Sequence, residues 1–354
     1  MNALLGIVLH AIGGLCAASF YIPIRKVKQW AWESYWIIQG VGSWILAPFL
    51  FAWLVVPKGN LGEILVNSPS DSILYAMLFG ALWGIGGLSF GLSMRYLGIA
   101  LGQSVALGFC TTFGTIIPPI YSGSLGEMFG STSGVLTLVG VAICLAGIVT
   151  AGYAGTLKEK GLSAEEKLKA VKEFALTKGL LIAVFSGIMS SCMAFAIAAA
   201  KPIADLSMSY GVAEIYQKNV GFIFIMGGGF ISNLIWCVYL HVRNNSLKTM
   251  LAPKFNVQAM NTMWAFAGGV TWFLQFFFYG MGASKLGEKY DFASWSIHMA
   301  FIIIFSNVIG LMLGEWKGSN KKTITMLMLA ILILIISTAV IGWGAYIEGG
   351  VAGH

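Results

Sequence analysis

The chain has 354 residues, of which 58% are hydrophobic and only 10% are charged. A soluble protein of this length carries about 25% charged residues, so the composition excludes a soluble globular protein and predicts an integral membrane protein. The formal net charge is +7, but the basic residues flank the apolar segments instead of gathering in one region. This distribution argues against a nucleic-acid-binding protein.

Ten apolar segments are long enough to cross a bilayer, since a spanning helix needs about 20 apolar residues. They lie at 3–24, 34–56, 72–94, 99–121, 133–154, 178–200, 219–241, 261–283, 292–314 and 323–346. The first has neither a basic leader nor a small-residue cleavage site, so we expect a permanent helix rather than a signal peptide. The predicted fold class is an all-α integral membrane protein with ten transmembrane helices.

The loops between these segments differ in their content of Lys and Arg. Numbered from the N-terminus, the odd loops hold sixteen such residues and the even loops hold only Lys58, Lys201, Lys218, Lys285 and Lys289. Loops rich in Lys and Arg stay on the cytoplasmic side of a membrane. We therefore expect both termini to lie outside the cytoplasm.

The longest polar insert, residues 156–179, separates five predicted helices from five more. Within it, Ser163 and Glu166 have the spacing of a capping box, which predicts a short amphipathic helix on the membrane surface. The predicted organisation is a first five-helix repeat at 1–155, a cytoplasmic linker at 156–177 and a second five-helix repeat at 178–354.

The two halves show weak internal similarity. A shift of 189 residues aligns five positions of the first half with five identical residues of the second, pairing Gly80, Trp83, Gly91, Leu97 and Gly98 with Gly269, Trp272, Gly280, Leu286 and Gly287. Because each half has an odd number of helices, the second would enter the membrane from the opposite side. This pattern predicts inverted repeats, a plan in which transporters bind substrate near the membrane midplane.

The ninth segment contains Asp291, Trp295 and His298 at spacings i, i+4 and i+7, which lie on one face of a helix. An ionisable group within a bilayer is costly, so it needs a partner or a function. Asp291 and His298 are therefore candidates for proton coupling, together with His10 in the first segment. The alternatives are a carboxylate stabilised by the helix N-terminus for Asp291 and structural hydrogen bonds for the two histidines.

The eighth segment places Trp272, Gln275 and Tyr279 on one helical face. An amide side chain can exchange hydrogen bonds with sugar hydroxyls, and aromatic rings can pack on the C–H faces of a sugar. The alternative is ordinary packing between helices. Trp83, the repeat counterpart of Trp272, and Tyr21 near the cytoplasmic end of the first helix are further candidates for contact with substrate.

Other kinds of chemistry have no support in the sequence. The cysteines all lie in apolar segments without CxxC spacing, so neither a disulfide framework nor a metal site is predicted. No nucleotide-binding loop, HExxH motif or GxSxG motif occurs in a suitable context. We therefore predict no cofactor other than a coupling proton, and no enzyme activity.

Several blocks together resemble the bacterial L-rhamnose–proton symporter family, which belongs to the drug/metabolite transporter superfamily. They are FYIPIRKVKQWAWE (20–33), FGALWGIGGLSFGLSMRYLG (79–98), AAKP (199–202), IMGGG (225–229), WFLQFFFYGMG (272–282), YDFASWSIHMAF (290–301) and GLMLGEW (310–316). The resemblance implies ten helices in two inverted repeats in the bacterial inner membrane. It adds support to a functional role for Gln275, Asp291, Trp295, His298, His10 and Tyr21.

The function predicted on this basis is proton-coupled uptake of L-rhamnose, or of a closely related 6-deoxyhexose or hexose, by alternating access. The expected partners are the sugar, H⁺ and the lipid bilayer, and no binding of nucleic acid is expected. The predicted oligomeric state is a monomer or a weak homodimer. The alternatives within transport are a metabolite exporter or exchanger of the same superfamily, or sugar uptake coupled to Na⁺. A membrane enzyme and a passive channel are the alternatives from other classes.

Overall fold

The computed structural model describes residues 2–97, 99–121, 123, 125–161, 175–287 and 291–351. Throughout these ranges the protein is helical, and they contain no β-strand. The all-α prediction is therefore confirmed for the described chain. The predicted surface helix around Ser163 and Glu166 lies outside the described residues.

In the described ranges the α-helices follow one another in short and long pieces. In chain order they are α1 Ala3–Ser19, α2 Tyr21–Ile24, α3 Trp32–Gly40, α4 Ala47–Val55, α5 Asn60–Asn67, α6 Ser70–Leu97, α7 Ile99–Tyr121, α8 Leu125–Phe129, α9 Thr132–Lys160, α10 Leu176–Ala199, α11 Lys201–Ser209, α12 Asn219–Asn244, α13 Leu247–Leu251, α14 Phe255–Leu286, α15 Asp291–Met312 and α16 Lys321–Val351. A π-helix, Val41–Leu46, joins α3 to α4.

Eight helical segments in the described chain are long and apolar enough to cross a membrane. They are Ala3–Ile24, Trp32–Val55, Ser70–Met94, Thr132–Lys158, Thr177–Ser209, Glu214–Asn244, Ala293–Met312 and Lys321–Ile347. Eight of the ten predicted segments therefore have the properties of membrane spans. The other two lie in α7, which contains the shorter apolar stretch Val105–Ile120, and in α14, a helix of 32 residues. For these two, the assignment as membrane spans stays a prediction.

The helices form two compact units, each assembled from separate stretches of chain. The first unit contains residues 1–14, 86–194 and 282–354, and the second contains residues 15–85 and 195–281. Each unit therefore includes chain from both of the predicted repeats. The repeat prediction concerns the order of helices along the chain, and it stays a prediction.

In the first unit, α9 and α16 pack side by side and are joined by hydroxyl groups. Ser133 Oγ of α9 donates a hydrogen bond to the carbonyl of Gly344 in α16 at 2.6 Å. Ser337 Oγ of α16 donates in return to the carbonyl of Gly140 in α9 at 2.8 Å. Small residues let two helix backbones come close enough for such bonds, which is how helices associate within lipid.

In the second unit, α6 and α12 approach each other through glycines. A Cβ atom added to Gly80 would run into the backbone of Ile225, and one added to Gly228 would run into the backbone of Met77. Glycine is therefore required at both positions, because any side chain would force the two helices apart. This contact fixes the position of α6, which carries Trp83.

Candidate functional site

Several of the predicted site residues fall into two groups, each within one unit. The histidine cluster consists of His10 and His298, and Trp295 lies one turn before His298 on the same helix, all in the first unit. The tryptophan cluster consists of Trp44, Trp83, Trp272 and Phe276, all in the second unit.

The histidine cluster forms where α1 meets α15. The imidazole rings of His10 and His298 have their centroids 5.9 Å apart at an interplanar angle of 59°, and both side chains are completely buried. Gly282 of α14 adjoins this pair, since a Cβ atom there would lie 2.9 Å from Cδ2 and Nε2 of His10. Two residues that the sequence marked separately as proton sites are thus neighbours.

Trp295 ties α15 to α7. Its indole is only 2% exposed, and its Nε1–H donates a hydrogen bond to the carbonyl oxygen of Cys110 at 3.2 Å. One residue further along α15, Ser296 Oγ is 2.8 Å from Thr115 Oγ1 of α7. These bonds hold the helix that carries His298 in a fixed position within the first unit. A sugar-binding role for Trp295 stays a prediction.

Asp291 is the first residue of α15, so the predicted helical spacing of Asp291, Trp295 and His298 agrees with the backbone. The Asp291 side chain lies outside what the structure describes. Its proposed part in proton coupling therefore remains a sequence-based prediction.

The tryptophan cluster is centred on Trp272 of α14. Its ring stacks against Trp83 of α6 at 5.5 Å and 28°, and it meets Trp44 at 5.8 Å and 85°. Phe276, one turn further along α14, lies 5.1 Å from Trp272 and 5.8 Å from Trp83. Trp83 and Trp272 are half-buried, so parts of both rings remain available for contact. The repeat counterparts predicted from sequence thus touch each other.

The remaining predicted sugar residues of the second unit lie on α14 and α2. Gln275 is 5% exposed, and its Nε2 donates to the carbonyl of Trp272 in the same helix at 3.0 Å. Tyr279 is buried on that helix, two turns beyond Trp272. Tyr21 is half exposed and packs on Phe20 at 4.1 Å, which in turn lies 6.4 Å from Trp272.

Trp44 is a member of the tryptophan cluster that the sequence analysis did not identify. It lies in the π-helix, and its side chain is only 3% exposed. Short π-helical insertions occur frequently at functional sites. The small residues that precede Trp44 in the sequence were the only signal for this position, and they do not by themselves indicate a π-helix.

A second buried polar group was also missed, at the start of α3. The Glu33 carboxylate accepts hydrogen bonds from Ser246 Oγ and from Asn244 Nδ2, the latter at 3.1 Å. Ser246 Oγ also lies 2.9 Å from His241 Nδ1. Because the serine hydroxyl donates to Glu33, His241 must donate its Nδ1–H to the serine oxygen. This network joins α3 to the end of α12 and satisfies a buried acid.

Eight helical segments of the described chain are long and apolar enough to cross a membrane, and one unit buries a pair of imidazoles, features typical of multi-pass membrane transport proteins. The sequence model of a protein family described as L-rhamnose-proton symport protein (RhaT) matches residues 1–346. The chain therefore belongs to that family. Since this is a family of transporters, the prediction of a transport protein rather than an enzyme is confirmed.

Individual relatives are similar in sequence to this chain over nearly their full length. The L-rhamnose-proton symporter of Mannheimia succiniciproducens is 38% identical over 345 residues, covering 97% of this chain and 98% of that protein. Those of Yersinia pestis (strain Pestoides F) and Yersinia pseudotuberculosis serotype O:1b (strain IP 31758) are each 36% identical over 343 residues, covering 96% of this chain and 98% of the relative.

Proposed function

We propose that the chain is a secondary active transporter that takes up L-rhamnose, or a closely related 6-deoxyhexose, together with protons across the bacterial inner membrane. The observation that carries this proposal is the match to L-rhamnose-proton symporters at 36–38% identity over almost the whole chain. The two clusters supply chemistry that suits the two cargoes.

The tryptophan cluster suits a deoxy sugar. The stacked, half-buried rings of Trp83 and Trp272 present aromatic faces for the C–H groups of the sugar ring. A 6-deoxyhexose has a methyl group where a hexose has a hydroxymethyl group, which extends its apolar edge. Gln275 uses one amide N–H on the Trp272 carbonyl, and its carboxamide has further hydrogen-bonding capacity for a hydroxyl group.

The histidine cluster suits a proton. Two imidazolium charges 5.9 Å apart in a buried place would repel each other strongly, so the pair accommodates one positive charge more readily than two. We propose that His298, with His10 beside it and Asp291 at the start of α15, takes up the coupled proton. Binding of a proton would then change the hydrogen bonding between α1 and α15.

Coupling follows from alternating access. The carrier must change its accessibility readily when it holds both cargoes or neither, and rarely when it holds only one. Each cargo therefore has to alter the relative stability of the outward-open and inward-open states, since a ligand shifts a conformational equilibrium only through differential binding. The proton gradient then drives the sugar inward.

The finer features of this proposal rest on sequence. We propose ten membrane spans, including α7 and α14, arranged as two inverted repeats of the drug/metabolite transporter superfamily. The bias of Lys and Arg toward odd-numbered loops supports termini outside the cytoplasm. The chain is proposed to act as a monomer or a weak homodimer.

The test is uptake into sealed vesicles that contain the purified full-length protein. A panel of sugars is supplied with and without an imposed pH gradient, and the external pH is recorded without buffer. L-rhamnose should accumulate above its external concentration only with the gradient, and its addition should make the outside more alkaline. Accumulation that follows an Na⁺ gradient, or sugar movement without alkalinisation, would favour the Na⁺-coupled or exporter alternatives.

A further inference from the structure

The π-helix places Trp44 against the two rings proposed to hold the sugar. Trp44 lies 6.3 Å from Trp83 and 5.8 Å from Trp272, and it meets both at 85°. The approach is close because Gly269 of α14 faces this segment: a Cβ atom there would run into the backbone carbonyl of Gln39. Trp44 is thus held beside the tryptophan pair by the packing of two helices.

The Trp44 side chain is buried together with its indole N–H, a hydrogen-bond donor. No hydrogen-bond partner for its Nε1 occurs among the residues that the structure describes. Neighbouring indoles differ, since Trp36 donates its N–H to Asn233 Oδ1 at 2.9 Å. A buried polar group without a partner is costly. The faces of adjacent aromatic rings offer only weak compensation.

A second buried polar side chain lies five residues before Trp44, near the end of α3. Gln39 is completely buried, and its Nε2 donates to Ser43 Oγ at 3.1 Å. Its Oε1 has no partner within the described part of the chain. The short segment from Gln39 to Trp44 therefore holds both an unused acceptor and an unused donor next to α14.

We infer that the Trp44 indole N–H is a sugar-binding donor, which hydrogen-bonds a hydroxyl oxygen of the pyranose while the ring packs on Trp83 and Trp272. The inference rests on the proposed transport of a 6-deoxyhexose and adds a specificity-determining residue to it. Trp44 is covered in the conformation described, so the bond forms when the neighbouring rings separate to admit the sugar. A substrate hydroxyl then satisfies the buried donor.

The experiment compares wild type, Trp44→Phe and Trp36→Phe in full-length protein in vesicles. Radiolabelled L-rhamnose uptake is competed with unlabelled L-rhamnose and with its 2-, 3- and 4-deoxy derivatives, each of which lacks one hydroxyl. In wild type, the derivative that lacks the hydroxyl bound by Trp44 should compete about five- to tenfold less well than L-rhamnose. In Trp44→Phe, the apparent affinity for L-rhamnose should fall by that factor. The same derivative should then compete as well as L-rhamnose does.

Trp36→Phe is the matched control, because its N–H already has a protein partner, and all derivatives should keep their wild-type order. The inference is overturned if Trp44→Phe retains every wild-type deoxy penalty or binds L-rhamnose as tightly as wild type. If Trp44→Phe does not reach the membrane, Trp44 is replaced by an analogue with benzothiophene in place of indole, which keeps the ring shape and removes the N–H. Wild-type vesicles that show no proton-driven uptake of L-rhamnose would instead refute the proposed function.

Discussion

The two clusters differ in both exposure and chemistry. The histidine cluster contains two ionisable rings that are completely buried, whereas in the tryptophan cluster Trp83 and Trp272 are only half-buried. A proton can reach a buried imidazole through hydrogen bonds, but a sugar needs an accessible surface that matches its shape. If the proposed roles hold, proton recognition and sugar recognition belong to different units, so that each should be altered by substitutions that leave the other unchanged.

The largest effect is expected for His298→Gln in the histidine cluster. A gradient of one pH unit can drive about tenfold accumulation for each coupled proton, and an amide cannot carry that proton. We expect the accumulation ratio to fall to about one, while exchange of labelled for unlabelled sugar continues. His241→Gln is the control, since His241 belongs to neither cluster. Wild-type accumulation and pH dependence in His298→Gln would place the proton elsewhere.

Asp291→Asn tests whether the coupled proton also depends on the first residue of α15. If Asp291 is part of the proton path, its amide variant should lose accumulation as His298→Gln does and should retain exchange. The measurement is the ratio of internal to external sugar over a range of external pH. Asp71→Asn, which removes an exposed carboxyl from the first turn of α6, controls for a change of charge alone. An Asp291→Asn protein that accumulates sugar normally would leave the histidines as the proton site.

A change confined to sugar affinity is expected for Trp272→Leu in the tryptophan cluster. Leucine keeps apolar bulk but removes the aromatic face, so we expect KM for L-rhamnose to rise about tenfold. The accumulation ratio at saturating sugar should stay at its wild-type value. Trp343→Leu is the control, since Trp343 lies on an exposed surface of α16. A lost accumulation ratio with an unchanged KM would contradict the separation of the two clusters.

The smallest effect is expected for Gly282→Ala beside His10. The added methyl group would lie 2.9 Å from the imidazole, which has to shift by a few tenths of an ångström. We expect proton-driven uptake to slow by about two- to threefold, with no change in KM for the sugar. Gly227→Ala is the matched control, because no other part of the described chain beyond its own helix turn lies within 4 Å of its added Cβ. Equal effects in both variants would indicate general destabilisation.

Local patterns in the sequence predicted those features that depend on neighbouring residues along the chain. Long apolar runs predicted helices, and the spacing of Trp272, Gln275 and Tyr279 predicted a shared face of α14. The repeat alignment paired Trp83 with Trp272, and the structure places these two rings in contact. Such predictions succeed because helical periodicity is set by the backbone itself.

Features that depend on which helices pack together could not be predicted from local sequence patterns. His10 and His298 each stood out as an ionisable residue in an apolar segment, but no pattern within either segment indicates that α1 packs against α15. The π-helix at Trp44 was missed for a related reason. One widened turn rotates all later side chains, and the helices that pack on this segment, among them α12 and α14, lie far from it along the chain.

The pairing of His10 with His298 also has a consequence for how the protein is made. The helix that carries His10 is synthesised well before the helix that carries His298, since most of the chain separates the two histidines. At about 5–20 residues per second, that interval is on the order of tens of seconds. Through this time, α1 must remain in the membrane with its imidazole lacking its native neighbour. The first unit therefore becomes complete only when the last helices have entered the bilayer.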